Sequence, residues 1–274
     1  MSTVPGGVPA LYVFAVCRSG DPSGDLSRTP GHPGGGPVRA LAAGSLTAVV
    51  QEVPAAAFSE EALRQRLAEQ DELERCARTH HDVISAAARH ADTVPLPLAT
   101  LYLGEHRVRE ALRTDAPRFH AALERVAGRV EWGVKVYATA PPVPAAGPGP
   151  AAPAAERGDG ADASGRDYLS RVRSRNRARE DRMDTGLRAA ERVDAEFRGI
   201  AVAARRLRTH GPELTGERRP QLLNAAYLVA AGADRAVTEA VGRLGAAEPG
   251  VAVEVTGPWV PYSFADGGGD DGGR

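Results

Sequence analysis

Along this 274-residue chain the spacing of apolar positions changes several times, and each change predicts an element. Leu11-Tyr-Val-Phe-Ala-Val16 is a continuous apolar run of strand length. Leu46-Thr-Ala-Val-Val-Gln-Glu-Val53 is rich in β-branched residues, so both read as strands. Ser59 offers a helix N-cap, followed by Glu60 and Glu61 where carboxylates suit the helix dipole. From Leu73 the apolar spacing is helical, through Cys76, Ala77, His80, Val83, Ile84, Ala87 and Ala91, which predicts a helix lying on a sheet. Thr93 to Tyr102 reads as extended, and Pro95 and Pro97 confine it to an edge or an irregular strand. A second amphipathic helix runs through Val108, Leu112, Phe119, Leu123 and Val126, interrupted or kinked at Pro117. Glu131-Trp-Gly-Val-Lys-Val-Tyr137 then alternates as a strand, with Trp132, Val134 and Val136 on one face and Glu131, Lys135 and Tyr137 on the other.

Residues 139–164 are dominated by Pro, Ala and Gly and cannot bury enough apolar surface to order themselves, so they read as a linker. The expected domains are therefore 1–138, with a flexible Gly/Pro/Ser insertion at 19–37, and 165–256, followed by a tail at 257–274 whose last residues are disordered. The second domain opens with a long helical pattern from about Asp167 to Arg208. Its first half is polar all round; its second carries a stripe through Met183, Leu187, Ala190, Val193, Phe197, Ile200, Ala204 and Leu207. Gln221 to Val229 reads as a buried strand, Asp234 to Leu244 as a helix and Val251 to Val255 as an alternating strand. Strands and helices are interleaved irregularly in both halves, so the fold class is α+β.

Composition narrows the function classes. A formal charge of −1 predicts no polyanion partner, and no window approaches the roughly 20 apolar residues that span a bilayer. The chain reads as soluble, without a signal peptide, and Cys17 and Cys76 are isolated thiols that fit a reduced, cytoplasmic setting. Lys135 is the sole lysine in a chain that otherwise uses arginine, which marks a position where a guanidinium fits poorly.

Candidate chemistry is sparse. His80 and His81 are adjacent on a helix and point about 100° apart, so they cannot chelate one ion together. Cys76 and His80 share a face but make only two ligands, and His80 reads as a packed, hydrogen-bonded helix residue. The arginines from Arg171 to Arg182 lack interleaved aromatics and are followed by acids, which favours a solvated helix face over a nucleic-acid site. Walker, GxGxxG, GxSxG and HExxH motifs are absent, so no enzyme, cofactor or metal is expected.

The tail Thr256-Gly-Pro-Trp-Val-Pro-Tyr-Ser-Phe264 concentrates aromatics in a chain that is 5% aromatic, and Pro258 and Pro261 exclude a regular helix. Trp259, Tyr262 and Phe264 are expected to dock intramolecularly, in the cleft between the domains.

Taken together and in order, Leu11-Tyr-Val-Phe, His80-x-x-Val83, Val94-Pro-Leu-Pro-Leu, Glu131-Trp-Gly-Val-Lys-Val-Tyr137, Gly165-Arg-Asp-Tyr-Leu169, Asn224-Ala-Ala-Tyr-Leu-Val229 and the terminal segment resemble the GvpL/GvpF family of gas vesicle proteins. Where that family usually carries an arginine, an aromatic and a glycine, this chain has Pro97, Leu98 and Ala99. The resemblance implies a two-domain protein with a ferredoxin-like first domain. It further implies a non-enzymatic accessory or minor structural role in gas vesicle assembly, in contact with the shell protein and other vesicle proteins. Binding through exposed strand edges is expected, with Tyr102, Lys135 and Tyr137 as interaction residues. A diverged cytosolic ligand- or partner-binding module is the alternative.

Overall fold

A computed structural model describes residues 10–18, 23–139, 161–209, 219–247 and 250–265. The chain divides into two compact units: Met1–Trp132 with Leu228–Ala231 and Gly257–Arg274, and Gly133–Tyr227 with Gly232–Thr256. This differs from the expected break at 138/139, and it assigns the described part of the tail to the first unit.

The first unit is built on an antiparallel sheet of β1 (Ala10–Arg18), β2 (Val38–Ala43), β3 (Leu46–Val53), β4 (Thr93–Pro95) and β5 (Leu101–Leu103). The order is β2-β3-β1-β4, and β5 also pairs with β1, so β1 is central. Its register against β3 runs from Ala10↔Val53 to Arg18↔Leu46, with a shift between Val13 and Ala15. Residues 10–17 of β1 are all buried, as a near-continuous apolar strand requires. Tyr12, Phe14, Ala15 and Cys17 join one core cluster with Val83 and Ile84 of α3 (Gln70–Ala88). Leu11, Val13 and Val16 lie outside that cluster and are equally buried, in a unit whose α4 (Glu105–Thr114) and α5 (Ala116–Val126) bury Val108, Leu112, Phe119 and Leu123.

Ser59 caps α2 (Glu60–Ala68) as expected, its hydroxyl accepting from Ala62 N at 3.3 Å. The break between α4 and α5 falls at Asp115, two residues before Pro117. Other expectations are corrected. Leu73 is exposed rather than core, because Cys76, His80, Val83 and Ile84 already define the buried stripe of α3. Thr93 to Tyr102 lies at the sheet edge and is irregular, as expected, but as two short strands separated by a turn, with Ala99 in the left-handed region at φ 64°.

The expected flexible insertion at 19–37 is ordered wherever it is described. It contains α1 (Ser23–Leu26), buries Leu26 and His32, and is tied down by Gln51. The Gln51 amide accepts from His32 N at 2.8 Å and donates to His32 O at 3.0 Å and Gly36 O at 2.9 Å. Glycine is needed there: a Cβ on Gly35 would stand 2.3 Å from the Gln51 amide nitrogen. Composition alone could not reveal a staple supplied by a buried glutamine on β3.

A second sheet has the order β7-β8-β6-β9, from β6 (Arg129–Ala138), β7 (Ala203–Arg206), β8 (Gln221–Ala230) and β9 (Val251–Trp259). In the second unit α6 spans Ala161–Ile200, so the expected helix to Arg208 ends eight residues early and Ala203–Arg206 is a strand. Residues 161–164 of the expected linker belong to α6, and 140–160 lie outside the described residues. Ala190, Val193 and Phe197 of α6 are buried, whereas Leu187 is exposed, because Gly186 and Ala189 supply that turn's buried positions. α7 (Asp234–Ala247) buries Val237, Ala240 and Leu244. Asp194 is the polar centre of this unit. It accepts from Tyr227 Oη at 2.5 Å, Arg206 Nη2 at 2.8 Å and Arg198 Nε at 3.1 Å. Burial pushes its carboxyl up, but these donors outweigh that and hold it below the usual carboxylate range.

Candidate interaction surfaces

The three residues expected to meet a partner sit in different settings. Tyr102 is half-buried on β5, in register with Leu11 of β1. With Leu101 and Leu103 it forms one wall of a 530 Å³ cavity, whose other wall is Arg107, Glu110, Ala111 and Thr114 of α4 together with Asp115. Leu103 is 61% exposed, the most exposed large apolar residue among those described. Lys135 lies on β6, with its ammonium 3.7 Å from the Glu254 carboxylate of β9. Tyr137 is corrected: it is 4% exposed, with the Arg219 guanidinium 5.2 Å from its ring centroid, and presents no surface to a partner.

The terminal segment follows β9 into a single 3₁₀ turn, Tyr262–Phe264. Glu131, itself buried, accepts from Ser263 N at 2.8 Å and Ser263 Oγ at 2.7 Å, so one carboxylate fastens the turn by both oxygens. Arg125 donates to Phe264 O at 3.2 Å, and Phe264 is buried. The Tyr262 hydroxyl lies 3.3 Å from His81 Nδ1, and burial raises its pKa, so it stays a neutral phenol. Trp259 packs edge-on to His81 at 5.4 Å yet is 44% exposed. Beside it lies a 420 Å³ cavity lined by His81, Ser85, Arg89 and Arg129 among others. Alternation places Glu131 on one strand face with Lys135 and Tyr137; its role depends on a serine more than a hundred residues away, which no local pattern reveals.

In the core of the first unit His80 is satisfied from within the protein, whereas neither ring nitrogen of His32, buried against Tyr12 and Phe14, has a hydrogen-bond partner among the described residues. His80 Nε2 lies 3.0 Å from Leu96 O, a carbonyl that can only accept, so that nitrogen carries the proton. Nδ1 therefore accepts from Tyr12 Oη at 3.0 Å, and the same phenol oxygen accepts from Ala99 N at 2.9 Å. His80 is thus a packed, hydrogen-bonded residue with neither ring nitrogen open to a ligand. Burial pushes its pKa, and that of His32, down to about 4. Burial also pushes the Cys17 thiol up to about 11, so it stays protonated beside Thr93. Among the described residues no His, Cys, Asp and Glu group of three or more is placed to hold a metal, and no helix is long and apolar enough to cross a membrane. Arg173, Arg177, Arg179 and Arg182 are exposed along α6.

Comparison with known proteins adds to this geometry. The model of the family described as gas vesicle synthesis protein GvpL/GvpF matches residues 10–266. The chain is 43% identical over 256 residues to gas vesicle protein L of Streptomyces sp. (strain CB03234), covering 93% of this chain and 92% of that protein. Among solved structures it is similar to GvpF from Anabaena sp. PCC7120, with a TM-score of 0.62 at 14% identity, over 97% of this chain and 100% of the other. It is also similar to GvpF from Microcystis aeruginosa, with a TM-score of 0.61 at 13% identity, over 95% and 100%. At such identities the two crystal structures speak to the fold.

Proposed function

The chain belongs to the gas vesicle synthesis protein GvpL/GvpF family, and from that premise we propose that it acts in gas vesicle assembly as a non-enzymatic accessory or minor structural protein. The observation that carries the reading is a family match that runs from the first described strand to the terminal turn. In this reading the protein works in the cytoplasm and at the vesicle, holding the apolar shell protein and other accessory proteins while the shell grows.

Mechanistically, the reading rests on strand edges. A shell subunit awaiting incorporation exposes apolar surface and unpaired backbone, and an added strand satisfies both with little demand on sequence. The order β2-β3-β1-β4, with α1 between β1 and β2 and α2 and α3 between β3 and β4, supports a ferredoxin-like variant for the first unit, its first helix reduced to four residues. Tyr102 is the interaction residue we retain for that unit and Lys135 for the second.

Trp259, Tyr262 and Phe264 are assigned a structural role, as a strap that stabilises the first unit rather than a peptide presented to the shell. Burial of Phe264 supports it, and removing residues 257–274 is then expected to destabilise the fold as well as weaken binding. Co-expression of the tagged chain with the shell protein tests the main proposal: the two are expected to co-purify, and a chain recovered without shell protein refutes it.

A further inference from the structure

Strands at the edge of a sheet are ordinarily protected by charge, proline or shortness. Of the edge strands here, β2 carries Arg39 paired to Glu105, β4 ends in Pro95, β7 carries Arg205 and Arg206, and β9 carries Glu254 and Pro258. β5, Leu101-Tyr-Leu103, has neither charge nor proline; among the described residues its one strand partner is β1, through Ala10, Leu11 and Tyr12. Shortness is its remaining protection, and the 530 Å³ cavity toward α4 offsets that by offering side-chain pockets beside the open edge.

We propose that this groove between β5 and α4 receives an uncharged, extended apolar segment of a partner polypeptide, added antiparallel or parallel as one more strand of the sheet. The inference rests on the assembly reading above and names where the partner is held. Charge identifies the occupant. Arg107 is paired to Glu110 at 3.0 Å within the groove, and Asp115 to Arg118 of α5, just outside it, at 3.3 Å, so each charge on the rim is already answered. A charged segment would have to lose its own hydration and break one of these pairs for no net attraction. An apolar segment covers Leu103 and Ala111 and leaves both pairs in the solvated rim, the arrangement found in stable interfaces. At roughly 3.3 Å per residue, β5 can pair with three or four residues of the partner, so backbone bonds set direction and the groove supplies most of the affinity.

The test is capture of co-expressed gas vesicle shell protein by the full-length chain and by three variants. Leu103→Asp puts an unpaired carboxylate on the open edge, and Ala111→Arg fills the floor of the groove; each is expected to lower capture by about tenfold or more while the melting profile stays that of the parent. Arg235→Ala, at an exposed position of α7 in the second unit, is expected to capture as the parent does. A photo-crosslinking residue placed at 103 is expected to join covalently to the shell protein. Undiminished capture by both groove variants, or absence of the crosslink when the parent captures, overturns the groove and leaves the assembly reading intact. Dependence of capture on the charge of Arg107 or Asp115 overturns the uncharged occupant. Failure of the parent to capture any shell protein overturns both proposals together.

Discussion

Tyr12→Phe isolates one oxygen atom on which the first unit depends. The phenol of Tyr12 donates to His80 Nδ1 at 3.0 Å and accepts from Ala99 N at 2.9 Å, and the substitution keeps the ring that packs against Phe14, Phe58 and His32. What is lost is the partner of one donor and one acceptor at once. An unsatisfied buried polar group costs about 1–3 kcal/mol, so the pair sums to roughly 2–6 kcal/mol, and the lower half of that range, about 2–4 kcal/mol, is expected because the Ala99 amide is part-buried. For a chain of this size that corresponds to a fall in melting temperature of roughly 5–12 °C.

The measurement is urea and thermal unfolding of the parent, Tyr12→Phe, His80→Leu and the double variant. Because both singles break the same bond, the double is expected to be less destabilised than the sum by about 1 kcal/mol or more. A loss below about 0.5 kcal/mol for Tyr12→Phe, or additive singles, refutes the network as a stabilising unit.

Acid should weaken the fold early. His32 and His80 titrate near 4 when folded and near 6.5 when unfolded, so the folded state binds fewer protons; their contribution is complete above about pH 6.5 and is lost as pH falls toward 4. Urea midpoints between those pH values are expected to fall, and His32→Leu to flatten the slope; an unchanged slope refutes the assignment. Asp194→Asn, which leaves Arg198, Arg206 and Tyr227 facing a neutral amide, should cost about 2–3 kcal/mol in chemical denaturation, discounted because both arginine side chains are at least half exposed. Gly35→Ala drives a methyl into the Gln51 amide and should destabilise by about 1–3 kcal/mol, whereas Gly44→Ala, which meets no atom within 4 Å but sits at φ 68°, should cost about 1 kcal/mol from backbone strain alone. Phe264→Ala should cost about 3 kcal/mol, and protease accessibility of the terminal segment should rise with it.

Elements set by local periodicity were legible in the sequence. The β1 and β3 strands, the Ser59 cap and the buried stripe of α3 each follow from residues within one or two turns of each other. Interactions closed over long separations were not. Gln51 fastening the 32–36 loop, Glu131 receiving Ser263, and Asp194 gathering Tyr227 and Arg206 all pair residues whose neighbours in sequence give no sign of the partner. For the same reason Tyr137, which alternation places on one face with Glu131 and Lys135, is buried with an arginine from the segment before β8 over its ring. Leu103, at the proposed groove, does not stand out in the sequence because exposure of a single leucine is ordinary; only the open edge of β5 and the adjoining cavity make it informative.

The segment from Leu96 to Ala99 ties the core to the proposed groove. At φ 64° Ala99 occupies a conformation that costs an L-residue about 1–2 kcal/mol. The chain tolerates alanine because the turn is held from both ends: Leu96 O accepts from His80, Ala99 N donates to Tyr12, and Thr100 O accepts from Val13 N at 2.9 Å. Those bonds come from α3 and from β1, the two elements that carry the main core cluster. The turn delivers the chain directly into Leu101, so the position of β5 against Ala10–Tyr12 is fixed by the same bonds that satisfy both ring nitrogens of His80. The edge to which a partner strand would add is therefore coupled to a buried polar network of the unit, and loss of the Tyr12 hydroxyl should loosen β5 before it unfolds the sheet.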